Sequence, residues 1–205
     1  MFMPPDLIAQ MEADFIAGLE DTNTAARLHS IQRLGGLKSA SSRPALHHVI
    51  ETGSPAEVKW AVYAALRTGD VSVLTKLREV LDRSNGEALD VFIALELRGL
   101  KDRRAIPGLI DILGSVTDPA VLEYVLTALG ENLKAVEALP GIAAHLAASH
   151  PRIRFSALVG MQAITQEPAC ILPAQWTEGM IEPQAQQCLA WWDHRGREQF
   201  SRLQH

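Results

Sequence analysis

A chain of 205 residues that is 47% hydrophobic can bury the core of one or two ordinary domains or of a short repeat array. Its net charge of −5 excludes a general polyanion binder, because neutralising phosphates takes a clustered excess of Lys and Arg. Two cysteines exclude a disulfide framework or Cys-rich zinc site, and no uncharged apolar run reaches the ~18–20 residues that span a bilayer. Cys170 and Cys188 are read as buried thiols on adjacent helices, a spacing that also permits a bridge.

The chain opens on Met-Phe-Met-Pro-Pro-Asp, which lacks the basic-then-apolar pattern of a secretory signal, so the expected location is cytoplasmic. From there a beat of 32 residues runs through Asn23, Pro55, Glu87, Pro119, Pro151 and Pro183, each expected to open a helix. A second series interleaves with it at Ala13, Pro44, Thr75, Pro107, Pro140 and Pro173. Two registers of nearly equal period describe one unit of two helices, copied about six times. No such unit buries its own apolar face, so neighbours must stack into a continuous core.

In chain order, the first helices are expected at 42–50, 73–81, 105–113 and 138–146, where apolar residues recur on one helical face. Proline is tolerated there near the start, where backbone N–H groups lack partners. Ser54-Pro55 and Asp118-Pro119 read as N-cap and first residue of second helices; Asp21-Thr22, Ser84-Asn85 and Ser149-His150 offer similar starts. Gly35, Gly69, Gly99 and Gly130 fall near the ends of second helices, where a left-handed cap favours glycine. No useful strand alternation occurs. The expected domain covers 1–196, with a polar tail at 197–205.

The Ala-x-Pro-Gly-Leu/Ile helices at 105–109 and 138–142, followed by Asp-Pro-Ala-Val (118–121) and His-Pro-Arg-Ile-Arg (150–154), resemble HEAT-like repeats of the bacterial type, also found in phycobiliprotein lyase subunits. The resemblance extends over roughly 5–195 and departs at Asp90 and Leu122, where a basic residue stands elsewhere as Lys59 and Arg154. It implies an all-α, right-handed α-solenoid of about six antiparallel pairs, with second helices lining the concave side. This repeat hosts many roles, so fold does not decide function.

Chemistry-bearing patterns are sparse. The seven histidines show no metal-ligand spacing and no His-Glu pair, unlike the di-iron hydroxylases of similar architecture, and no metal or other cofactor is expected. No nucleophile elbow or phosphate-cradling glycine loop occurs. A DNA glycosylase-like site would draw on Trp60, Asp90 and Arg154, but the acidic balance disfavours nucleic acid. A lyase-like enzyme would need a polar cleft, with Asp90, Glu123 and Arg154 as candidates. Arg98, Lys101, Arg103 and Arg104 form the densest basic cluster, read as helix-end charge or as a secondary site for a phosphate or an acidic partner.

The expected partner-binding feature lies on the second helices. Two residues after each first buried position come Leu28, Trp60, Val91, Glu123, Phe155 and Gln187; four further on come Gln32, Ala64, Leu95, Thr127, Val159 and Trp191. Positions four apart share a face, and this one is largely apolar. Either the solenoid buries it, or it is a strip for a protein or peptide. In the second case Trp60 and Phe155 anchor, Val91, Leu95 and Val159 line, and Lys59 and Arg154 steer acidic partner residues. Trp191 and Trp192 close the last helix, one sealing the core and the other lying across the end, where it also offers a homodimer contact.

Overall fold

The structure, a computed structural model, describes residues 4–81, 93 and 96–201. The chain divides into two compact units, Met1–Glu96 and Leu97–His205. Among the described residues every regular element is helical.

The first unit contains α1 (Pro5–Ala17), α2 (Thr24–Leu37), α3 (Arg43–Thr52), α4 (Pro55–Arg67) and α5 (Leu74–Leu81). Helices α1 and α2 pair, as do α3 and α4, and α4 also packs on both α2 and α5. The interface is apolar: Ile31, Leu34, Leu46, Ala61, Val62 and Leu77 are all fully buried. Each such Leu or Ile removed from water contributes roughly 1.5–3 kcal/mol. The second unit repeats the plan with α6 (Ile106–Ser115), α7 (Pro119–Thr127), α8 (Leu139–Ala144) and α9 (Pro151–Thr165). It closes with α10 (Glu178–Trp191) and α11 (Arg197–Ser201). Successive first helices touch, α6 on α8, and successive second helices touch, α7 on α9 and α9 on α10. Each unit is therefore a two-layer stack of helix pairs, the arrangement of an α-solenoid.

Local chemistry accounts for the repeat. First helices α3, α5, α6 and α8 are each preceded by a short 3₁₀ turn, and Pro44, Pro107 and Pro140 occupy the second α-helical residue, where no intrahelical N–H bond is lost. Second helices α4, α7 and α9 begin at the expected prolines Pro55, Pro119 and Pro151. Asp118 accepts from the N–H groups of Ala120 and Val121, and Ser54 with Glu57 completes a reciprocal capping box. In α2 the cap is Asn23 rather than the preceding Asp21-Thr22, although the Asp21 carboxylate accepts from Asn23 N–H at 2.7 Å.

Five expectations are corrected. Ala13 lies inside α1, and Pro173 opens no helix, because 171–177 is irregular after a 3₁₀ turn at Pro168–Cys170. Pro183 lies within α10, which starts earlier at Glu178. Cys170 and Cys188 are disulfide-bonded, not thiols, and both are fully buried. The tail is not wholly a polar extension: Arg197–Ser201 is helical and Phe200 is buried, its ring edge-on to Trp191 at 6.4 Å.

Of the glycines read as caps, Gly69 takes a left-handed φ of 77°, but Lys38, Lys134 and Gln166 hold the other left-handed positions among the described residues. Gly35 and Gly130 serve packing instead. A Cβ on Gly35 would lie 2.9 Å from the Ala64 Cβ, and one on Gly130 would lie 2.3 Å from the Gly160 Cα. The helices cross at these points with no room for a side chain.

Gly130→Ala is expected to lower stability by about 1–3 kcal/mol through overpacking. Gly36→Ala, on α2 with nothing within 4 Å of the added carbon, should raise it by up to about 1 kcal/mol. Urea unfolding of both variants checks the pair of signs. Cys170→Ala/Cys188→Ala should cost about 3 kcal/mol, the value for closing a loop of this size, read as a lower urea midpoint in the second unit.

Candidate functional site

The expected strip is described separately in each unit. On α4, Trp60 is half-buried and meets Tyr63 edge-on at 5.8 Å, while the Arg67 guanidinium lies 5.8 Å from the Tyr63 ring centre. Arg67 also faces Glu96 at 3.4 Å. Residues at these intervals share one helical face, so α4 presents an aromatic and cationic stripe. Ala64, in the expected strip, is buried because Gly35 lets α2 approach it. Lys59 is only 8% exposed, so its ammonium is not presented for steering a partner. Val91, Leu95 and Asp90 lie outside the described residues.

On α9, Phe155 and Val159 are half-buried, as the strip requires. Their cover is a residue that the repeat register did not single out. Trp176, in the irregular 171–177 segment, lies against Phe155 with ring centres 4.8 Å apart and planes tilted by 31°, yet remains 43% exposed. Between them runs a groove of about 440 Å³, floored by Phe155, Val159 and Ala163 and walled by Leu172, Pro173 and Trp176. The signal for it was present in the chain: Pro168 and Pro173, five apart, cannot both start one regular helix, and an indole follows them.

The basic residues have structural work. Arg154 donates to the carbonyls of Ala148 (2.8 Å) and Ser149 (3.3 Å), fixing the turn into its own helix, and lies 3.6 Å from Glu182. It is therefore turned to its own chain rather than to an acidic partner. Arg27 occupies the same slot on α2 and makes the same kind of bracket, donating to the carbonyls of Asp21 and Thr22 and to Glu57 at 2.6 Å. In the expected secondary patch, Arg103 donates to the Leu133 carbonyl at 2.8 Å and pairs with Glu137 at 3.1 Å, while Arg104 pairs with Asp102 at 2.6 Å. The Arg98 guanidinium lies 5.8 Å from the Tyr124 ring centre, and Lys101 is exposed. These contacts join neighbouring repeats and turns, so the patch reads as architecture. At the end of α10, Trp192 seals the core at 4% exposure and Trp191 is half-buried beside Phe200.

No group of three or more His, Cys, Asp or Glu among the described residues can hold a metal. His47 is bonded to Asp70 at 2.7 Å and the His145 ring to the Gly141 carbonyl at 2.9 Å. Burial alone would raise the Asp70 carboxyl, but bonds from Ser72 and His47 outweigh it and hold the group below its ordinary range.

Comparison with known proteins follows the same line. Residues 12–91 match the family model for HEAT repeats. That part of the chain is similar to HEAT repeats. No curated protein matches the chain. Among solved structures, a chain in the complex of CpcE and CpcF of phycocyanin lyase from Nostoc sp. PCC7120 is similar at 25% identity, with a TM-score of 0.54. The match covers 83% of this chain and 68% of that one. No described helix is long and apolar enough to cross a membrane.

The strongest electrostatic feature of the first repeats is Glu57. Its carboxylate accepts from the Ser54 hydroxyl and backbone N–H and from Arg27, and these bonds lower its pKa from 4.5 to about 2. A depressed folded-state pKa stabilises above the unfolded value and is lost as pH falls through the folded one. The first unit should therefore lose up to about 3 kcal/mol between pH 4.5 and about 2. Glu57→Gln should be less stable at pH 7 and show a flatter urea midpoint across that window.

Proposed function

We propose that this protein is a non-enzymatic scaffold that binds a protein or peptide through the second-helix face of its repeats. The observation that carries the reading is the half-exposed aromatic surface at Phe155, Val159 and Trp176, an apolar patch of a kind that commonly marks interaction sites. Trp60 with Tyr63 supplies a second aromatic stripe in the first unit. The reading needs no cofactor. Arg154 and Lys59 act in it as supports of the helices that display the aromatics.

Likeness to a chain of a phycocyanin lyase complex favours a second reading, a subunit that handles a chromophore together with a partner chain. That activity asks for polar groups converging in a cleft. Of the three candidates, Asp90 lies outside the described residues, and Arg154 is committed to the Ala148 and Ser149 carbonyls. The same commitment weakens a glycosylase-like site.

Affinity capture from the native cell extract tests the scaffold, with Trp60→Ala/Phe155→Ala as the comparison and circular dichroism confirming its fold. Wild type should retain a protein that the double variant loses by about tenfold or more, the effect of removing aromatic anchors. Equal capture by both would overturn the reading. A shift in the absorption spectrum of a phycocyanin chromophore added to the purified chain would favour the second one.

A further inference from the structure

We infer that the groove between α9 and the 171–177 segment receives a basic, apolar peptide segment, one that sets an aliphatic or aromatic anchor against Phe155 and Trp176 and brings a Lys or Arg to Glu131. This deepens the protein-binding reading and rests on it.

The floor and far wall of the groove are apolar, and its near edge is not. Glu131, in the π turn that ends α7, is exposed at that edge, and among the described lining residues it is the one charged group. It makes no ion pair with any described residue. Of the two arginines on α9, Arg154 has its guanidinium held by the Ala148 and Ser149 carbonyls and faces Glu182. At the other end Gln166 donates its Nε2 to the carbonyls of Gln162 and Ala163, which leaves its Oε1 as an acceptor. The polar rim therefore offers acceptors and negative charge.

An occupant must match both halves. Its apolar part gains by covering Phe155 and the exposed face of Trp176, and aromatic anchors of this kind carry much of the binding free energy of an interface. Its polar part must be a donor. A Lys or Arg beside the anchor meets Glu131, whereas an acidic segment or a phosphate backbone would set like charges together at the rim. The sign is opposite to the sequence expectation, in which Lys59 and Arg154 steer acidic residues, because both cations are tied into the chain.

The test uses the full chain and two fluorescein-labelled peptide pools, Xaa-Leu-Xaa-Phe-Xaa, with Xaa either Lys/Arg or Asp/Glu. Fluorescence anisotropy should show the basic pool binding at least about tenfold more tightly than the acidic pool. Glu131→Lys should abolish that preference. Asp6→Lys, an equal charge change in the other unit, should leave it intact and so exclude attraction to net charge alone. Trp176→Ala, on an exposed ring whose loss leaves no buried cavity, should abolish binding of both pools. A preference for the acidic pool, no binding of either, or a basic preference that survives Glu131→Lys would overturn the inference. If Phe155-dependent capture from extract persists in those cases, the scaffold reading stands without this occupant; if capture is absent too, both fail.

Discussion

Successive second helices meet at points where a single methyl group would not fit. The Gly130 and Gly160 backbones cross so closely that a Cβ on Gly130 would be 2.3 Å from the neighbouring Cα, and Gly35 meets Ala64 in the same manner in the first unit. Close approach of two backbones multiplies dispersion contacts and excludes water along the crossing. It also fixes how far each helix turns toward its neighbour, and hence which residues remain outside. Ala64 is buried by that contact although its slot belongs to the expected strip. Phe155, on α9 with Gly160, stays half-exposed on the face turned away from the crossing. The display of aromatics is thus a consequence of small residues placed elsewhere on the same helices.

The second recurring device is the arginine four residues after the N-cap of a second helix, Arg27 after Asn23 and Arg154 after His150. Arg27 and Arg154 each reach back to two carbonyls of the preceding turn and across to a glutamate of the next repeat. The two brackets are not equal. Arg27 meets Glu57 at 2.6 Å, and the glutamate side chain is 6% exposed, so its charge is desolvated and bonded on several sides. Arg154 and Glu182 are 3.6 Å apart with the glutamate largely exposed, a geometry worth little beyond the carbonyl bonds. Where Leu122 replaces the arginine, the capping carboxylate of Asp118 satisfies the helix start alone. A basic residue in this slot therefore reports turn chemistry before it reports a partner.

The period of 32 made the helix pairs legible because it rests on local rules: proline where an N–H is already unpaired, an Asp or Ser cap before it, and apolar residues on one face. Those rules act within about ten residues, and they succeed in the central repeats for that reason. They fail at Ala13, Pro173 and Pro183, which lie inside α1, in the irregular 171–177 segment and inside α10. Spacing could assign Cys170 and Cys188 to adjacent elements but not decide their pairing, which depends on the path of the chain between them. The candidate site was half legible. Phe155 and Val159 follow from helical periodicity, whereas Trp176 stands outside any helix and reaches Phe155 only through the path of the irregular segment.

That segment stands where a sixth first helix would have packed, and the disulfide takes over the role such a helix would have played. A regular helix holds its place through many apolar contacts along its length. The stretch from Ile171 to Thr177 instead leaves Ile171 and Trp176 well exposed, so apolar burial alone would hold it weakly. The bond from Cys170 to Cys188 fixes its first end to the last turn of α10, Gln184 donates to the Ala169 carbonyl at 2.7 Å, and Thr177 joins it directly to the start of α10. With both ends held, the Trp176 ring keeps its place over Phe155 without the support of a helix. A groove built this way is ordered before any partner arrives, and binding to it costs less conformational entropy than binding to a free loop. The missing helix is therefore what opens the groove, and the covalent bond is what lets that opening remain a defined surface.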